Sequence, residues 1–184
     1  NEDFLLIDID GEVTEISMSK KNLLRESVSF PLGSNFVVRE TASNLSVPVV
    51  EAKSLISLFN DGHAEPATAG KICQAIDHLR KDWLVKFQES LANLSNDISI
   101  PSTIYLAVDK ENAEFFKDTI EREQFHQYTL TESKFKVIFL NAEVFHGIAG
   151  FDENTVMDPR LIIDSIYINR FLINSTYPVS DKSA

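Results

Sequence analysis

The chain has 184 residues, 43% of them hydrophobic and 24% charged, with a net charge of −11. This length supports one substantial core, and the acidity argues against nonspecific binding to nucleic acid or to an anionic membrane, both of which require a basic face. A single cysteine, Cys73, excludes an internal disulfide, and no apolar run reaches the roughly 18–20 residues of a membrane helix.

Phe4 to Ile9 is a short apolar run that reads as a buried strand, and Asp10-Gly11 marks a turn after it. Val13 to Ser19 alternates, with Thr14, Ile16 and Met18 on one face and Val13, Glu15, Ser17 and Ser19 on the other. Lys21-Asn22 is a second turn, and Leu23 to Phe30 alternates again before Pro31-Leu32-Gly33. These segments predict a three-stranded antiparallel meander. Ser34 or Asn35 caps a predicted helix to about Ser43, and a second helix runs from near Pro48 to Asp61-Gly62. His63 to Ala69 reads as a loop. From about Thr68 to Leu94, the residues Ile72, Ile76, Leu79, Trp83, Phe87, Leu91 and Leu94 recur at helical spacing. Cys73 falls within this pattern and reads as a buried structural thiol. A strand at Thr103–Val108, an amphipathic helix at Glu111–Gln124, a strand at Val137–Leu140 and a last helix at Pro159–Ile173 follow. That last helix is apolar nearly all round, which fits a helix covered by protein rather than a membrane anchor. The tail 174–184 is polar and reads as disordered.

The order predicts an α/β protein of the ribonuclease-H-like layer type: a mixed five-stranded sheet with helices on both faces. The predicted domain spans 1–173, with a possible inserted or adjoining helical subdomain at 34–97. The chain starts at Asn1 rather than Met, which suggests processing or excision and an upstream partner domain.

The segment Phe4-Leu-Leu-Ile-Asp8-Ile-Asp10-Gly11-Glu12-Val-Thr14-Glu15-Ile16 resembles the second phosphate motif of the actin-like ATPase superfamily, a strand, a glycine-rich turn and a second strand. Ser29-Phe30-Pro31-Leu32-Gly33 resembles the segment that follows the third strand in that superfamily. Leu45 to Leu55, with Pro48 and Glu51-Ala52, is similar to a helix of its FtsA-like and PilM-like members. Thr103 to Asp109 stands where those proteins have their adenosine motif. The resemblance implies the second, nucleotide-binding half of such a protein. On that footing Asp8, Gly11, Thr14 and Gly33 mark a vestigial phosphate site and Glu51 a vestigial nucleoside contact.

Glycines at a hairpin tip let backbone N–H groups approach phosphate oxygens. Here Asp10 and Glu12 occupy two of three glycine positions, and Ala107, Val108 and Asp109 replace the adenosine-motif glycines. A like-charge pair at 4 Å costs about 1 kcal/mol in water and several times that near a protein surface. ATP with Mg²⁺ is therefore expected to bind weakly or not at all, and no cofactor and no catalytic residue is assigned. Asp8, Asp10 and Glu12 could alternatively hold a hard cation, or simply be acidic residues on a solvated hairpin. The histidines His63, His78, His126 and His146 form no recognisable triad. The expected function is a non-catalytic scaffold or adaptor for a cell-envelope machine such as a type IV pilus, secretion system or division apparatus. It would lie in the cytoplasm, at the inner membrane face through protein partners. The alternative is a divergent ATPase or kinase-like enzyme needing a missing N-terminal half.

Overall fold

Residues 3–21, 23–95, 99–122, 134–140 and 161 are described by the structure, a computed structural model. Its first strand, β1 (Phe4–Ile9), buries Leu5, Ile7 and Ile9 completely and leaves Phe4, Leu6 and Asp8 half-buried, the period-2 pattern of a strand with two unlike faces. β2 (Thr14–Lys20) pairs antiparallel with it, placing Ile16 opposite Ile7 and Thr14 opposite Ile9. Thr14, Ile16 and Met18 are fully buried, as their alternation predicts. Lys21 turns the chain with φ 52°, a left-handed conformation uncommon outside glycine. β3 (Leu23–Phe30) then pairs antiparallel with β2.

β4 (Thr103–Val108) lies parallel to β1, with Ile7 against Leu106, and β5 (Lys136–Phe139) extends the sheet. The order is β3-β2-β1-β4-β5, one mixed five-stranded sheet.

Four helices are described: α1 (Asn35–Leu45), α2 (Val49–Asn60), α3 (Pro66–Leu94) and α4 (Lys110–Arg122). Ser46 ends α1 in the left-handed conformation at φ 55°, and the N–H of Val47 returns to the Ala42 carbonyl at 3.0 Å. α3 begins two residues earlier than Thr68, so the predicted loop at 63–69 is shorter. Pro66 is the cause: at the first helical position its missing N–H has no intrahelical partner to lose and its φ already suits a helix.

The buried side of α3 is Ile72, Ala75, Leu79, Trp83, Phe87, Leu91 and Leu94. Cys73 is exposed, contrary to the buried thiol expected from the sequence. One residue beyond Ile72 is about 100° round the helix, which takes Cys73 off the apolar stripe. Trp83 is the centre of the core. It stacks on Phe87 at 4.8 Å and 17°, and meets Phe116 of α4 at 5.4 Å and Phe30 of β3 at 6.1 Å. α3 and α4 thus share the sheet face that carries Thr14, Ile16 and Met18. Full burial of each large apolar side chain contributes about 1.5–3 kcal/mol. On the opposite face Phe4 and Tyr105 meet edge-on at 5.2 Å. α2 packs on α1 and α3 and buries only Ala52, leaving Val49, Val50 and Leu58 exposed.

The chain divides into two compact units, Asn1–Ile138 and Phe139–Ala184. The first contains β1 to β4, all four helices and most of β5. The predicted helix Pro159–Ile173, apart from Leu161, and the tail 174–184 lie outside the described residues, as do His126 and His146.

Candidate functional site at the first hairpin

The turn between β1 and β2 is closed by its own atoms. The Asp10 N–H donates to the Val13 carbonyl at 2.9 Å, and the Gly11 N–H donates to the Asp10 carboxylate at 2.7 Å. Against this turn lies the start of α1. The N–H of Ser34 donates to the Asp10 carbonyl at 3.0 Å and the N–H of Asn35 to the Gly11 carbonyl at 2.8 Å. The first N–H groups of a helix have no intrahelical acceptor and commonly meet an anion or a capping side chain. In α1 two N–H groups at this end are committed to hairpin carbonyls instead. Gly33 makes the approach possible: a Cβ there would stand 2.6 Å from the backbone carbon and oxygen of Gly11 and nearer still to the Asp10 carbonyl. Its lack of a side chain serves close backbone contact.

Glu12 projects from the tip towards α1. Both its carboxylate oxygens accept from the Arg39 guanidinium, and Oε1 also accepts from the Asn35 amide at 3.1 Å. The Asn35 hydrogen bond, then the Arg39 hydrogen bond and charge, hold the Glu12 carboxyl below the ordinary carboxylate value, against desolvation and, last, the Asp10 charge. The charge added at a predicted glycine position is therefore balanced within the chain.

Thr14 is fully buried below the turn. Its hydroxyl donates to the Leu32 carbonyl at 2.7 Å and accepts from the Trp83 indole N–H at 3.0 Å. Leu32 also lines a groove of about 290 Å³ with Pro31, Asp82, Val85 and Lys86. Asp8 is half-buried on β1, between Glu15 of β2 and Ala107 of β4. Gly11, Thr14 and Gly33, three of the residues singled out in the sequence, thus meet at one junction, with Asp8 at the end of the same strand. Glu51 sits on a separate element, exposed in the first turn of α2.

Among the described residues no group of three or more histidine, cysteine, aspartate or glutamate side chains is placed to hold a metal ion. For the cation reading of Asp8, Asp10 and Glu12, the geometry has Asp10 turned to the Gly11 N–H and Glu12 turned to Arg39. Arg39 has no motif to reveal it in the sequence; it meets Glu12 across 27 positions only because α1 packs on the hairpin. His78, in α3, likewise joins Glu40 of α1 at 2.6 Å, a contact no sequence spacing announces, and Asp82, four residues on in the same helix, at 3.4 Å. The Glu40 hydrogen bond and charge raise the His78 pKa above its ordinary value, with Asp82 adding to the effect and desolvation and Lys81 opposing it.

Solved structures place this architecture. The chain is similar to the PilM-PilN type IV pilus biogenesis complex, with a TM-score of 0.50 and 18% identity over 64% of this chain and 33% of that chain. Two further structures match with TM-scores under 0.5. The ethanolamine utilization protein EutJ from Carboxydothermus hydrogenoformans gives 0.46 at 15% identity, over 74% of this chain and 44% of that one. The apo psk41 ParM protein gives 0.48 at 13% identity, over 90% and 43%. The sheet order and the first of these likenesses make the fold an actin-like α/β fold. The chain spans between 33% and 44% of the length of these structures. No protein-family model and no curated protein matches the sequence. Among the described residues no helix is long and apolar enough to cross a membrane.

Proposed function

We propose that this chain is a non-catalytic scaffold domain with an actin-like fold, serving as an adaptor in the assembly of a cell-envelope machine, with type IV pilus biogenesis the leading instance. The observation that carries the reading is the self-contained hairpin tip. Asp10 and Glu12 add bulk and negative charge to the turn. Three N–H groups at the junction, those of Gly11, Ser34 and Asn35, are committed to acceptors of the chain itself. A phosphate arriving there would have to displace these bonds and approach the Asp10 carboxylate, a contact costing about 1 kcal/mol or more at 4 Å, while Glu12 already occupies Arg39. The likeness to a PilM-PilN complex supports protein partners of the kind found in membrane-associated assemblies, in place of a small-molecule substrate.

The test is isothermal titration of Mg·ATP together with phosphate release, on this chain joined to any flanking half of the same protein. The expected result is no turnover and an affinity weaker than millimolar, about −4 kcal/mol or less favourable. Turnover abolished by Asp8→Ala would overturn the reading in favour of a divergent ATPase or kinase-like enzyme. Changing Asp10 and Glu12 together to glycine separates the obstacles: improved nucleotide binding assigns the block to this turn, and no improvement assigns it to Ala107, Val108 and Asp109.

A further inference from the structure

We propose that Glu12 is an internal ligand of α1, a latch that holds the tip of the first hairpin in one position with no bound molecule. The hairpin and α1 are joined at two levels. At the backbone, Ser34 and Asn35 donate to the Asp10 and Gly11 carbonyls at 3.0 and 2.8 Å. At the side chains, the Arg39 guanidinium engages both Glu12 oxygens and the Asn35 amide engages one of them. Asn35 thus contributes to both levels. Both Glu12 oxygens accept from one guanidinium nitrogen, Nη1 of Arg39, and this charge-assisted contact, joined by the Asn35 amide, restrains the swing of the tip that backbone bonds alone would allow.

The latch continues beyond α1. Arg39 grips the hairpin, and its neighbour Glu40 grips α3 through His78. Successive residues of a helix point about 100° apart, so α1 can hold two different elements from consecutive positions. The hairpin, α1 and α3 are therefore tied by these exposed pairs as well as by the buried Thr14–Trp83 bond. Arg39 and Glu12 are 46% and 60% exposed, and an exposed ion pair adds little to global stability. Its effect belongs to local opening of the tip. A tip latched in this way is a fixed surface on the domain, in contrast to a loop that orders only when a ligand arrives.

The experiment is amide hydrogen exchange, read by nuclear magnetic resonance on the full chain without added ligand, at the N–H groups of Asp10, Ser34 and Asn35. The variants are Glu12→Gln, Arg39→Ala and the two combined. Each single variant is expected to speed exchange at these amides several-fold while the amides of β1 and β4 hold their rates. The double variant is expected to exchange no faster than the faster single variant, because either change alone opens the latch. Unchanged rates in the single variants, additive increases in the double variant, or an increase shared equally by the whole sheet would overturn the proposal. None of these readouts involves nucleotide, so ATP turnover in the preceding test would leave the latch standing or falling on its own.

Discussion

The Trp83 indole N–H donates to the Thr14 hydroxyl at 3.0 Å, and that hydroxyl donates onward to the Leu32 carbonyl at 2.7 Å. A residue of α3 thereby fixes the start of β2 and the loop before α1 in one buried relay. Thr14→Val keeps the shape and removes the hydroxyl, leaving a buried donor and a carbonyl unmatched. The expected loss is about 1–3 kcal/mol for each group left unpaired, measured by urea denaturation. Trp83→Phe should also destabilise, and the pair should be non-additive by about 0.5–3 kcal/mol. A Thr14→Val protein as stable as the parent would mean that the relay contributes nothing.

Two glycines should respond in opposite directions. Gly33→Ala forces a Cβ onto the Asp10 and Gly11 backbone, and is expected to cost about 1–3 kcal/mol, as overpacking does. Gly70 lies within α3 and a Cβ there meets nothing within 4 Å. Gly70→Ala should stabilise by about 0.5–1 kcal/mol through helix propensity. Melting temperatures of the two variants shifting in the same direction would contradict this account.

The His78–Glu40 contact predicts a pH dependence with a definite sign. The folded pKa of His78 is raised above 6.5. Its contribution is therefore fully present below about pH 6.5 and is lost as pH rises through the raised folded value. The His78 side chain is 54% exposed and that of Glu40 21%, so the effect is modest. Stability followed from pH 5 to 9 should decline less in His78→Gln than in the parent. Superimposable profiles would remove His78 as the titrating group.

Glu12 works in the other direction. Its folded pKa is lowered from 4.5, so the contribution is present above about that pH and fades as pH falls through the folded value. Acid titration of the Glu12 carboxyl carbon by nuclear magnetic resonance should give a midpoint below that of an unstructured glutamate, moving back up in Arg39→Ala. A midpoint that ignores Arg39 would separate the two residues.

Cys73 is exposed on α3. In the native protein it should react with a disulfide reagent such as Ellman's at a rate close to that of the denatured chain. Strong protection would place the thiol back in the core, where its sequence neighbours first suggested.

Most of the sheet was legible because strands announce themselves through alternation. Leu5, Ile7 and Ile9 face the core opposite Thr14, Ile16 and Met18, and a shift of one residue would turn either set outward. The helices were legible as stripes, and Pro48 marked the entrance of α2, whereas Pro66, read as part of a loop, is the residue that starts α3. Cys73 shows where that reading weakens: on a helix, one position separates Ile72 in the core from a thiol in solvent. The candidate site was legible only in part. Asp8, Gly11, Thr14 and Gly33 stand out in the sequence through the resemblance of their strand–turn–strand segment, and of the loop after the third strand, to the phosphate motif of actin-like ATPases. Which groups they meet depends on α1 docking against the turn and α3 crossing beneath it. Those contacts join Glu12 to Arg39 over 27 positions and Thr14 to Trp83 over 69. Local periodicity records how each segment divides its own residues between core and solvent. It carries no information about which distant donor will satisfy a buried hydroxyl or a tip carboxylate, and only packing of the folded chain decides that.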